Sequence, residues 1–175
     1  PKDIDAWNNK GITLHNLGKY EEAIECFDKV IEIDPKDIDA WNSKGIALDD
    51  LGKHEEALKC LNKSLELDPK NAYAWHNKGV TLDDLDKYEE AIECYDKALE
   101  LDPKFVDAWS SKGVTLRKLG KYEESIECYD KALELDPKYV YSWNNKGITL
   151  RDLGKYEEAI KCYDKALELD PKYVL

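Results

Sequence analysis

The sequence contains no methionine, only two phenylalanines and three histidines. No apolar run approaches the ~18 to 20 residues needed to span a bilayer, and no basic stretch followed by an apolar one opens the chain, so a cytoplasmic setting is expected. The lack of methionine, together with an opening Pro1-Lys2-Asp3 that reads like the internal linker Pro35-Lys36-Asp37, makes a piece of a longer protein the expectation. Basic excess is missing too. The 26 Lys and Arg face 38 Asp and Glu, for a formal net charge of −12, and no basic stripe is present, which argues against a sequence-independent grip on DNA or RNA. His15, His54 and His76 are scattered, leaving no nucleophile, base or metal cluster at one place, so no enzyme is expected. Neither a glycine-rich phosphate loop nor a Cys-x-x-Cys pair occurs, so no cofactor and no zinc site is expected.

What the chain does have is a repeat. Trp7, Trp41, Trp75, Trp109 and Trp143 are 34 residues apart, as are Gly11, Gly45, Gly79, Gly113 and Gly147, and the six prolines from Pro1 to Pro171. The stretch Gly120 to Lys138 returns almost verbatim as Gly154 to Lys172. Within it Tyr122, Ser125, Ile126, Tyr129, Ala132 and Leu133 form an apolar stripe at the period of a helix. Glu123 and Glu124 sit at the favourable end of the helix dipole, Glu127 is placed to pair with Lys131, and Asp136-Pro137 is a stop. Val106 to Leu119 reads as a second kind of helix with Trp109, Gly113 and Leu116 on one face, and Gly120-Lys121 is a connection short enough to force an antiparallel pair. A glycine inside a helix costs about 1 kcal/mol, so its recurrence at Gly113 and its equivalents implies close approach of a neighbour. Cys26, Cys60, Cys94, Cys128 and Cys162 recur at one place in the second helix; stacked helices ~8 to 10 Å apart hold such residues too far apart for disulfides, so a reduced ladder is expected.

A 34-residue helix-turn-helix with Trp, Gly, Tyr, Ala, Tyr and Pro at these offsets resembles the tetratricopeptide repeat. The resemblance covers five copies, residues 4–37, 38–71, 72–105, 106–139 and 140–173, and the last two agree at 26 of 34 positions. It implies an all-α fold, a right-handed superhelical solenoid of antiparallel helix pairs forming one domain over residues 1–175. One departure is systematic: Lys10, Lys44, Lys78, Lys112 and Lys146 replace the usual Leu, and are expected to pack their stems and keep their heads in water.

In this family the first helix of each repeat lines the concave groove. The resemblance places there Asn8, Asn42, His76, Ser110 and Asn144, then Asn9, Ser43, Asn77, Ser111 and Asn145. Ile12, Ile46, Val80, Val114 and Ile148 follow, and then His15, Asp49, Asp83, Arg117 and Arg151, with Asn16, Asp50, Asp84, Lys118 and Asp152 beside them. The second row resembles the asparagine ladder with which some members hold an extended peptide backbone, for which an amide supplies both donors and an acceptor; the alternative is plain polar surface. The carboxylate clamp of the chaperone adaptors has no match, since its Lys and Arg positions correspond to Asn8, Ile12, Ser43, Tyr73 and Asn77. Asp49, Asp50, Asp83 and Asp84 could in principle gather Mg²⁺ or Ca²⁺, but a solvated acidic face is the reading adopted.

The function expected is protein–protein interaction, with a protein or peptide segment held along the groove. Net charges by repeat of −4, −2, −5, −1 and 0 make the early groove acidic, while Arg117, Lys118 and Arg151 make the later one basic, so a ligand of opposite polarity is expected. Two rivals stay open: a regulatory segment of a larger enzyme, and a head-to-tail array. The array would join Ile4, Trp7 and Leu14 at one end to Tyr156, Ile160, Tyr163 and Leu167 at the other, where Tyr173, Val174 and Leu175 begin a further first helix.

Overall fold

The computed structural model describes residues 3–172, so Tyr173, Val174 and Leu175 lie outside the described residues. It contains ten α-helices and, among the described residues, no strand. The chain divides into two compact units, the first running to Lys87 and the second starting at Tyr88. The first holds α1 (Ile4–Asn16), α2 (Tyr20–Ile33), α3 (Ile38–Asp50), α4 (His54–Leu67) and α5 (Ala72–Asp84). The second holds α6 (Tyr88–Leu101), α7 (Val106–Lys118), α8 (Tyr122–Leu135), α9 (Val140–Asp152) and α10 (Tyr156–Leu169). Within the units each helix packs on its sequence neighbours, and first helices also meet first helices: α1 with α3, α3 with α5, and α7 with α9.

The boundaries follow from local chemistry. Asp3, Asp37 and Asn71 cap α1, α3 and α5 by accepting from the amides of Ala6, Ala40 and Ala74 at 3.0, 2.8 and 3.0 Å. Phe105 and Tyr139 stand at that position in the second unit and make no such bond. The first helices close on Gly18, Gly52, Gly120 and Gly154, whose φ of +72, +78, +76 and +77° is left-handed. Each lets the next amide reach back across the last turn, as Lys121 does to the Leu116 carbonyl at 2.9 Å. Asp86 takes the same conformation at φ 58°, which a short polar side chain tolerates. The second helices stop at extended Asp34, Asp68, Asp136 and Asp170 just before proline, and the Asp136 carboxylate accepts from the Lys138 amide at 2.9 Å.

The internal glycines admit a side chain rather than a helix backbone. A Cβ on Gly113 would lie 2.7 Å from Cε1 of Tyr129, and one on Gly147 2.6 Å from Cε1 of Tyr163; Phe27 fills the same place under Gly11 and Leu61 under Gly45. Tyr129, Phe27 and Leu61 are fully buried there. The tryptophans are half-buried, and each of Trp41, Trp75, Trp109 and Trp143 donates its indole N–H to the carbonyl of the preceding proline, at 2.9 to 3.1 Å. The cysteines are buried and form no disulfide, and burial pushes the Cys128 thiol up to about 11, which keeps it protonated and inert.

Two expectations about charge are corrected. Three of the repeated lysines do not leave their heads in water: Lys44 reaches Asp28 at 2.5 Å and Lys112 reaches Asp96 at 2.6 Å, and Lys146 makes the same pair with Asp130, each tying a first helix to the second helix before it. In the third repeat Asn62 stands in the register of those aspartates, and Lys78 lies over the Trp75 ring, 5.3 Å from its centre, as Lys44 and Lys112 lie over Trp41 and Trp109, while Lys10 is exposed. Lys131 pairs forward with Glu134 at 2.8 Å rather than back with Glu127, a pattern repeated from Lys29–Glu32 to Lys165–Glu168.

Gly113→Ala should destabilise the protein by about 1 to 3 kcal/mol despite its better helix propensity, because the new methyl overpacks a buried ring. Gly120→Ala meets nothing within 4 Å and should cost only the left-handed backbone strain, about 1 kcal/mol. Urea unfolding of both variants checks this, and a Gly113→Ala protein as stable as the parent would refute the packing argument.

Candidate functional site

In the first unit the exposed side chains of α1, α3 and α5 form one acidic surface. His15 Nε2 lies 2.6 Å from Asp50 Oδ2, joining α1 to α3, and its ring rests 5.3 Å from that of Tyr20. Asn77 donates to Asn42 at 3.1 Å, joining α5 to α3, so these two amides hold each other. Ile12, His15, Phe27, Ser43 and Ile46 line a pocket of about 170 Å³. Ile12 is 47% exposed, and Ile46 and Val80 are half-buried. Asn9 is exposed, Asn8, His76 and Asp49 are half-buried, and Asp84 is exposed, whereas Asp83 is buried and does not lie open on this surface.

His54 departs from the tyrosine that other repeats carry, and its Nδ1 lies 2.8 Å from Asp49 Oδ1. That hydrogen bond, ahead of the charges of Asp49, Asp84 and Glu55 and against the effect of burial, raises the imidazole pKa above 6.5. From the sequence His54 counts only as one of three scattered histidines. Its spacing of five residues from Asp49, across a helix end and a tight turn, is the signal that could have paired them.

The second unit carries the opposite charge. On α7 and α9, Arg117 and Arg151 both reach Asp152, at 3.3 and 3.1 Å, and Lys118 lies 5.4 Å over the Tyr88 ring. Arg117, Lys118 and Arg151 supply the cations of this surface, with Asp152 between the two arginines. Ser111, Val114, Asn145 and Ile148 are half-buried. The structure differs from the expected groove at Ser110 and Asn144, which are buried; Ser110 turns between the first helices, where its hydroxyl accepts from that of Ser142 at 3.2 Å.

Among the described residues, four buried side-chain atoms have no hydrogen-bond partner, and all belong to this unit: Arg117 Nε, Tyr129 Oη, Asn144 Nδ2 and Tyr163 Oη. Each can donate. Next to Tyr129 the Ser125 and Thr149 hydroxyls are engaged with the Gly113 and Asn145 carbonyls at 2.7 and 3.0 Å, and burial pushes the phenol up to about 12. On α10, Tyr156, Ile160 and Leu167 are 65, 58 and 51% exposed, while Tyr163 is half-buried against Gly147; Ile4, Trp7 and Leu14 of α1 are half-buried.

The tetratricopeptide-repeat profile matches residues 4–37, 38–71, 72–105, 106–139 and 140–173. Solved structures of similar fold include a crystal structure of MamA, at 26% identity and a TM-score of 0.78, covering 93% of this chain and 95% of that one. A MamA fragment, 41 to the end, from Desulfovibrio magneticus RS-1 shares 23% identity with a TM-score of 0.81, covering 98 and 97%. YrrB, described as a TPR protein with an unusual peptide-binding site, shares 23% with a TM-score of 0.71, covering 98 and 89%. The last two likenesses show the fold alone. No curated protein matches the chain significantly. No helix of the described residues is long and apolar enough to cross a membrane.

The raised pKa of His54 sets a pH dependence. A group whose folded pKa exceeds its unfolded value contributes stability that is complete below the unfolded value and disappears as pH rises through the folded one. Relative to His54→Tyr, which does not titrate in that range, the parent should therefore lose stability as pH rises from about 6 through neutrality. Denaturant midpoints for both proteins measure it, and a pH-independent difference would exclude the link.

Proposed function

The chain belongs to the tetratricopeptide-repeat family, and we propose that its role as a protein-interaction scaffold is to hold an extended peptide segment of a partner on the exposed faces of its first helices. The observation that carries this reading is the strip of Ile12, Ile46 and Val80 in one unit, and Val114 and Ile148 in the other, left partly in water although each helix already has a buried face. Apolar rows bordered by polar groups suit alternate side chains of an extended strand, whose main chain can be met by Asn9, Ser43, Ser111 and Asn145. Asn42 and Asn77 contribute less to such a ladder, since each is already bonded to the other.

Charge gives the ligand a polarity. The first unit favours basic residues through Asp50 and Asp84. The second favours acidic residues through Arg151 and Lys118. Peptide arrays followed by fluorescence anisotropy test this. Asp50→Lys and Asp84→Lys should weaken binding of a basic-ended peptide about threefold each at low salt and less at high salt, as rim charges do. Bound peptides without charge bias would reject the proposal.

A second reading is favoured by α10. Its Tyr156, Ile160 and Leu167 correspond to Tyr122, Ile126 and Leu133 of α8, which are half-buried or buried in the same unit with α9 packed against that helix. The exposed face of α10 therefore suits the first-helix surface of another copy, including Ile4, Trp7 and Leu14. Sedimentation should show association that rises with concentration and is lost in Ile160→Lys/Leu167→Glu; a strict monomer at ~1 mM, a concentration at which even millimolar contacts would register, argues against it.

A further inference from the structure

The acidic edge of the first unit contains one arrangement that peptide binding does not account for, although one of its members, Asp84, also faces the peptide surface. Asp49 lies in the last turn of α3, His54 is the first residue of α4, and Asp84 is the last residue of α5, so three helices from two repeats deliver their side chains to one point. One imidazole nitrogen and one oxygen from each carboxylate lie within 4.8 Å of one another. Ligand atoms of one tetrahedral ion with bonds of ~2.0 to 2.2 Å stand ~3.3 to 3.6 Å apart, so the three side chains need to close by about 1 Å, a rotamer-scale adjustment, to share an ion.

We infer that Asp49, His54 and Asp84 bind a divalent cation of borderline softness, of the Zn²⁺ class, as a clip between the second and third repeats. The charge balance asks for a cation. Two carboxylates meet one imidazole, so the group is negative whether or not the ring is protonated, and Glu55 adds to the field at His54. The carbonyl ends of α3 and α5 favour positive charge here, against the single amide end of α4 at His54. The donor set selects the metal. An imidazole nitrogen is a poor ligand for Mg²⁺ or Ca²⁺ and a good one for Zn²⁺, Co²⁺ or Ni²⁺, and three protein ligands leave a fourth position to water. Among the described residues, the neighbouring His15–Asp50 pair has no third ligand within reach. Sequence isolates the same residue: Tyr20, Tyr88, Tyr122 and Tyr156 occupy the place that His54 takes in the second repeat. Binding would neutralise the acidic edge, and with it part of the preference for basic peptide residues.

Titration of the intact chain with CoCl₂ and ZnCl₂ tests the site. The expected result is one Co²⁺ per chain with a visible spectrum of nitrogen and oxygen ligation and no thiolate charge-transfer band, together with a thermal midpoint that rises with Zn²⁺. His54→Tyr restores the residue of the other repeats and so keeps the fold, and Asp84→Asn is nearly isosteric. Each removes a direct ligand and should weaken the metal by at least about tenfold, since loss of a mere supporting contact already costs that much. Absence of stoichiometric binding, binding that His54→Tyr and Asp84→Asn leave unchanged, or a thiolate spectrum would overturn the assignment, and none of these outcomes bears on whether a peptide binds the apolar strip.

Discussion

The contact on which this structure depends is a bulky side chain of a second helix lodged against a glycine of the first. Phe27 under Gly11, Leu61 under Gly45, Tyr129 under Gly113 and Tyr163 under Gly147 occupy the volume that any Cβ would claim. The glycine costs about 1 kcal/mol of helix propensity at each site, and fully burying a large apolar side chain returns about 1.5 to 3 kcal/mol, so the exchange favours the closely packed pair. It also fixes register, because a ring that reaches the glycine from one turn along the helix cannot reach it from the next. Ser125 shows how strongly this junction is specified. It stands where the other repeats have alanine, and it is accommodated because its hydroxyl finds the Gly113 carbonyl at 2.7 Å.

Joining one repeat to the next uses weaker forces. The Lys44–Asp28, Lys112–Asp96 and Lys146–Asp130 pairs have one partner largely sheltered and the other almost half exposed, which places each between a surface pair of 0 to about 1 kcal/mol and a costly buried one. Their value is in direction, since each aims a first helix at the second helix before it. The indole-to-proline bonds act similarly on the linker, holding the carbonyl at the turn so that the following helix starts at a fixed angle. Asn62 interrupts the series of carboxylates, and Lys78 keeps the contact with its tryptophan ring that Lys44 and Lys112 also make.

With the pair and the junction satisfied by one side of each helix, the opposite side of the first helices is free to vary, and there the repeats diverge. The first unit places Asp49 and Asp50 where the second places Arg117 and Lys118. A repeat array can therefore keep one fold while changing the chemistry of its exposed face unit by unit, and the same freedom lets a single change, His54 for tyrosine, create a cluster of metal-ligand type without disturbing the packing beneath.

The sequence by itself determined the repeat, the ten helices and their ends, because each rests on local chemistry: a 3.6-residue stripe, a left-handed glycine, an Asp-Pro stop. It also located the rows of Ile and Val and the sign of each charged face, since a 34-residue period carries a position from one copy to the next. Only the tertiary structure decided partners. Which carboxylate a lysine reaches, that Asn42 binds Asn77, that Asp83 and Asn144 are buried, and that His54 joins Asp49 and Asp84 all depend on how far one helix leans on its neighbour. That lean is set by side-chain volumes meeting across the interface, a non-local quantity that periodicity does not encode.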